Sequence, residues 1–179
     1  KESSAASDVY KRQEQFSRQV GGAPCNVAAT VSKLGGKSEM ITQLGNDAFG
    51  DIIVETIEQL GVGTQYIKRT NKANTALAFV SLQDDGQRDF SFYRKPSADM
   101  LYQPENIDDI QIFQDDILHF CSVDLIESDM KYAHEKMIEK FESVGGTIVF
   151  DPNVRLPLWE DKLECQRTIN AVSYTHLRA

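Results

Sequence analysis

DILHFCSV (116–123), ESDMKYAHEKMIEKFESVGG (127–146) and TIVFD (147–151) decide the fold class. The first and last are short apolar runs of strand length. Between them Met130, Ala133, Met137, Ile138 and Phe141 recur at three- and four-residue spacing, the inward stripe of an amphipathic helix, and Gly145 with Gly146 closes it. Strand, helix and strand in that order imply parallel pairing through a right-handed crossover, hence an α/β architecture.

The same rhythm appears upstream. Pro24 precedes VAATVSKL and Gly35–Gly36 follows it, the expected placing of Pro near a helix start and Gly past its end. EMITQL (39–44) reads as a strand. DAFGDIIVETIEQLG then puts Phe49, Ile52, Ile53, Ile57 and Leu60 on one helical stripe ended by Gly61. The middle differs. NTALAFVSLQ (74–83) and QRDFSFYRK (87–95), joined by Asp84, Asp85 and Gly86, predict a β-hairpin with Phe90 and Phe92 on one face and Ser91, Tyr93 and Lys95 on the other. There is no internal repeat or low-complexity tract.

The 179 residues are 41% apolar, enough for one core and short for two ordinary domains. Lys and Arg number 19 against 27 Asp and Glu, a net charge of −8, which argues against a nucleic-acid or anionic-membrane surface. No apolar run approaches the roughly 18 residues of a membrane span. Cys25, Cys121 and Cys165 are odd in number and show no CxxC grouping, as expected of free thiols in a reducing cytoplasm, and KESSAASDVYKRQ has no secretory apolar stretch.

Three stretches could carry chemistry. In GGAPCNVAA (21–29) a glycine pair leads into a helix start, where unpaired N–H groups suit an oxygen-rich ligand; the alternative is a plain loop with Asn26 as N-cap. The spacing is neither a dinucleotide loop nor a Walker loop. In FYRKPSAD (92–99) the Arg94 fork could bind hydroxyls, a carboxylate or a phosphate beside aromatics that shield a sugar face, or it could be a surface side chain stacked for packing. DPNVR (151–155) puts Asp151, Asn153 and Arg155 beyond a strand's carboxyl end, where α/β proteins bind ligands, although Asp151 and Asn153 also suit a turn around Pro152. His119 and Cys121 read as core, His134 as part of an amphipathic helix and DDIQIFQDD (108–116) as a solvated face, so neither a metal site nor a catalytic triad has local support.

Taken together, GGAPCNVAATVSKLGGKSEMITQLGNDAFG, TALAFVSLQDDGQRDFSFYRKPSADM, LHFCSVDLIE and DPNVRLPLW resemble, in order, the amino-terminal part of a PfkB-type carbohydrate kinase of the ribokinase-like superfamily, and within it the fructokinases. The likeness runs over about residues 14–172. It implies a ribokinase-like parallel α/β sheet with flanking helices and a small β-lid around 74–95, here truncated, with the sugar held between lid and sheet. Gly22 and Asn26 match positions that hydrogen-bond sugar hydroxyls. Phe79 and Phe92 match apolar lid contacts and Arg94 a polar one; Asp151, Asn153 and Arg155 match the strand-end loop, with Arg155 reaching the sugar.

The resemblance also implies ATP-dependent phosphorylation of a sugar hydroxyl, with ATP and Mg2+ bound mainly by a carboxyl-terminal half that includes the general base; no catalytic residue and no metal ligand is expected within this chain. It further implies association of two copies through the lid. The family's opening strand and its sugar-gripping aspartate have no counterpart, so residues 1–13 and 173–179 read as non-native tails. Such a fragment is expected to show no kinase turnover and poor solubility. A 2-keto-3-deoxygluconate kinase is the nearest competitor, since Arg94 and Arg155 would suit its carboxylate. A non-catalytic sugar-binding or regulatory relative is the other.

Overall fold

A computed structural model describes residues 16–82 and 88–175. The expected tail at 1–13, the Asp84, Asp85 and Gly86 turn, and residues 176–179 of the expected tail at 173–179 lie outside the described residues, whereas residues 173–175 of that tail belong to a helix. In chain order the elements are α1 (Ala23–Lys33), β1 (Thr42–Gly45), α2 (Ala48–Gln59), β2 (Ile67–Thr70), β3 (Leu77–Leu82), β4 (Arg88–Tyr93), β5 (Ile117–Cys121), α3 (Asp129–Val144), β6 (Thr147–Asp151) and α4 (Lys162–Thr175). Short 3-10 turns cover Ala98–Leu101, Pro104–Ile107, Ser122–Leu125 and Leu156–Leu158.

The predicted strand-helix-strand at 116–151 is present, and the strand and helix predicted upstream are followed by a further strand, β2, that the sequence pattern did not announce. β1 pairs parallel with β2 from Thr42↔Ile67 to Gly45↔Thr70, and β5 with β6 from Ile117↔Thr147 to Cys121↔Asp151. Among the described residues these pairs form separate two-stranded sheets, with the antiparallel hairpin β3–β4 as a third. The Gln43 side chain donates to the Ala98 carbonyl at 2.8 Å, tying β1 to the turn that follows the hairpin. The expected strand at 39–44 begins later than its apolar pattern suggests: Glu39 makes one isolated bridge to Gly63, and continuous pairing starts at Thr42.

The main core gathers where α3 lies against β5 and β6. All five residues of its predicted stripe are buried, around Phe120 at 1% exposure and Tyr102 at 0%. α3 ends at Gly145, in the left-handed region at φ 72°, a backbone state that glycine adopts without a Cβ penalty. A second cluster, with Cys25, Ile57 and Val62, sits under α1 and α2. The α2 stripe departs from expectation at Phe49, which is 45% exposed. The face toward β1 belongs instead to Gly50: a Cβ there would collide with the Gly45 carbonyl and press on the Arg69 guanidinium at 3.0 Å. No helix among the described residues is long and apolar enough to cross a membrane.

Asp47 joins two elements that position the hairpin. Its carboxylate accepts from Gly50 N at 2.8 Å, capping α2, and from Thr75 N at 2.8 Å, while Thr75 Oγ1 accepts from Gly45 N at 3.0 Å. Burial pushes the Asp47 carboxyl up, but the hydrogen bonds from Thr75 and Gly50 together outweigh it and hold it below its ordinary value. Asp47→Ala is expected to cost about 1–2 kcal/mol in urea unfolding. A depressed carboxyl stabilises above its unfolded pKa and loses that contribution on acidification, so the gap between wild type and variant should narrow below about pH 4.

Candidate functional site

The β3–β4 register sorts the aromatics by face. Phe92 stands opposite Ala78 and Phe90 opposite Val80, so the two rings share one face, stacked with centroids 5.8 Å apart. Phe79 stands opposite Ser91 and therefore points to the other face, where it meets Tyr93 edge-on at 5.3 Å and Phe16 at 5.2 Å. Phe79 and Phe92 thus lie on opposite sides of the ribbon. A single ligand against the Phe92 face is out of reach of the Phe79 ring.

On the Phe90–Phe92 side two adjoining hollows open between the hairpin and the turn after β6. One, of about 250 Å³, is lined by Phe90, Phe92, Arg94, Lys95, Met100, Ile126 and Leu158 among others; its neighbour, of about 370 Å³, by Asp89, Phe90, Phe92, Val154, Arg155 and Leu156. Pro157 belongs to both, as do the two phenylalanines. These volumes sit at the small end of ligand sites. The Arg155 guanidinium lies 5.8 Å from the Phe90 ring centroid and donates from Nη1 to the Val154 carbonyl at 3.1 Å, joining the strand-end loop to the hairpin.

Arg94 is held more firmly than its place at a hairpin end suggests. Its side chain is 8% exposed. Nε and Nη2 both reach Asp99 Oδ2 at 2.6 Å, Nη1 donates to the Val123 carbonyl at 3.1 Å, and Asp124 Oδ1 stands 3.9 Å from Nη2. Asp99 is fixed in turn by a short hydrogen bond from the Ser97 hydroxyl. Behind Asp124, Cys121 Sγ donates to Oδ2 at 3.5 Å, and His134 places Nε2 4.0 Å from the same oxygen while Nδ1 meets the Met130 carbonyl at 2.9 Å. Burial first, and then the Asp124 charge, push the Cys121 thiol up to about 12, so it is a protonated donor at neutral pH and not a nucleophile.

The remaining candidates sit apart from these two hollows. Gly22, not Asn26, is the N-cap of α1: it lies at φ 115°, and Asn26, one turn into the helix, donates its backbone N–H to the Gly22 carbonyl at 3.0 Å. The Asn26 side chain is exposed. Asp151 Oδ1 accepts from Asn153 N at 3.0 Å and Asn153 takes φ 27°, so this pair builds the turn after β6. Gly22, Asn26, Phe79, Asp151 and Asn153 line neither hollow, whereas Phe92, Arg94 and Arg155 meet there. Sequence reasoning passed over Asp99 and Asp124. The available signal for Asp124 was its place just beyond the carboxyl end of β5.

Residues 1–176 match the family model described as pfkB family carbohydrate kinase. The chain belongs to the pfkB family. This pfkB-family chain is 41% identical over 157 residues to probable fructokinase-4 of Arabidopsis thaliana, covering 88% of the chain and 48% of that protein. It is 42% identical over 154 residues to a fructokinase of Solanum tuberosum, covering 86% of the chain and 48% of that protein. The fructokinase of Vibrio cholerae O395 in its fructose, ADP and calcium ion bound form superposes with TM-score 0.82 at 33% identity, over 90% of this chain and 52% of the other. The ribokinase-like α/β fold is therefore as expected. The chain spans about half the length of the curated relatives it matches.

The pfkB membership raises the question of nucleotide and metal. Among the described residues no group of three or more His, Cys, Asp or Glu is arranged to hold a metal ion. The described residues therefore offer no donor set that fits Mg2+.

Proposed function

We propose that this chain forms the sugar-binding part of a fructokinase-like enzyme that phosphorylates a sugar hydroxyl with ATP and Mg2+. The observation that carries the proposal is the paired hollow that Phe90 and Phe92 share, flanked by Arg94 and Arg155. Aromatic faces accept the C–H side of a sugar ring and guanidinium groups donate to its hydroxyls. A hairpin resting over the hollow excludes water, which favours transfer to the sugar over hydrolysis. ATP and Mg2+ belong to the proposed reaction as a whole, and no described residue is assigned to them.

Gly22, Asn26, Asp151 and Asn153 enter the proposal as hydroxyl contacts on the likeness of their motifs; Phe92, Arg94 and Arg155 have the hollow behind them as well. Phe79 is assigned to the outer face, where with the 63%-exposed Tyr93 it offers an apolar surface for pairing two copies through the hairpin, a point that sedimentation equilibrium tests directly. A cytoplasmic location is part of the same reading, supported by three free cysteines.

Calorimetric titration with fructose tests the site. Saturable binding is expected, weakened about tenfold by Phe92→Ala and by Arg155→Ala. Equal affinity in wild type and both variants would remove the hollow from consideration.

A further inference from the structure

Arg94 is a cation whose pairing edges are already taken. The Nε–Nη2 edge, the one a ligand carboxylate would grip with two parallel bonds, is occupied by Asp99 Oδ2 at 2.6 Å. On the other edge, Nη1 is bonded to the Val123 carbonyl and Nη2 faces Asp124 at 3.9 Å. Arg94 brings one positive charge to this cluster and the two aspartates bring two negative ones. The groups lining or backing the hollows balance as well: Arg94, Lys95 and Arg155 against Asp89, Asp99 and Asp124. Lys95 is exposed at the rim, where solvent and salt screen it.

An anionic ligand would need a cation that is both desolvated and free of a partner, because its own hydration must be replaced. A neutral hydroxylated ligand needs only donor hydrogens. Arg94 keeps some of these, since its guanidinium has five N–H groups and the contacts above use only part of them.

We propose that Asp99, backed by Asp124, is the specificity-determining pair of the hollow: it holds Arg94 as a charge-neutralised donor, so the site accepts a neutral polyhydroxylated ligand and turns away a sugar acid. This rests on the sugar-site reading above. Asp99 acts through Arg94 and is a positioning residue. A merely structural role would weaken all ligands together, whereas neutralisation predicts that the preference changes.

The full chain and its Asp99→Asn variant are titrated with fructose and with 2-keto-3-deoxygluconate by calorimetry. Wild type is expected to favour fructose, and Asp99→Asn to shift the affinity ratio toward the acid by about tenfold or more. An unchanged ratio, or a wild type that binds the acid as tightly as fructose, overturns the proposal.

A second arm does not depend on sugars: sulfate is titrated while the Arg94 Nε–H resonance is followed by NMR. Saturable sulfate binding is expected only in the variant, and equal sulfate binding by both proteins overturns the neutralisation. If wild type binds neither sugar nor acid, the sugar-site reading fails by itself and the sulfate arm decides this one. Should Asp99→Asn lose its far-UV signature, Asp124→Asn replaces it, with a smaller shift in the same direction.

Discussion

Phe120→Ala should lower the unfolding free energy by about 3–5 kcal/mol, a large share of the 5–15 kcal/mol that holds a typical domain together. Phe120, the fourth residue of β5, is 1% exposed. Its ring lies 5.1 Å from Phe150, its parallel partner on β6, and 5.6 Å from the His134 ring on α3. Truncation removes the packing of three elements at one point, and strands and a helix that are closely packed relax only partly into the space left. Urea unfolding followed by circular dichroism measures the loss. Phe113→Ala, at a position 65% exposed, is the control and should cost less than about 0.5 kcal/mol. Similar costs at both positions would mean that the core does not centre on Phe120.

Arg94→Ala is expected to lose more than the binding of a hydroxyl. It leaves Asp99 and Asp124 facing each other's charge with no cation between them, and both carboxylates are largely buried, at 18% and 21% side-chain exposure. Breaking a fully buried pair costs 3–5 kcal/mol; with the water these aspartates retain, about 2–3 kcal/mol is the expected figure. Fructose affinity should fall by about 10–100-fold in the same variant, since a guanidinium donor is removed from the hollow. Arg94→Lys separates the two effects. It restores a charge near the aspartates, and with it part of the stability, but a lysine lacks the planar fork and should recover little binding. A lysine variant that binds fructose like wild type would show that charge alone, rather than fork geometry, is what the site requires.

Periodicity made β1 with α2, the β5–α3–β6 unit and the hairpin legible, because each is encoded by residues close together in the chain; β2, with Ile67 as the one apolar residue of IKRT, carried no such pattern. Facing along the hairpin was legible for the same reason, and the stacked Phe90 and Phe92 follow from it. Phe79 was harder. It belongs to the partner strand, and which of its faces meets Phe92 depends on the β3–β4 register, not on alternation within either strand. Phe49 escaped because the closest approach of α2 to β1 is made by a residue without a side chain. The setting of Arg94 was the least accessible: Asp124 lies thirty positions away, and only tertiary contact brings its carboxylate to the guanidinium. Motif likeness placed Arg94 near a ligand but carried no information about what already holds it.

Asn153, at φ 27°, constrains heredity at its own position in a way that can be told apart from chemistry. A backbone of that shape tolerates asparagine, aspartate and glycine and penalises branched side chains, whatever passes over it. In a saturation library, glycine at 153 should therefore rank beside asparagine if the turn alone selects the residue, and far below it if the amide group is also required. The order of those two survivors would tell whether that codon answers to geometry or to a guest.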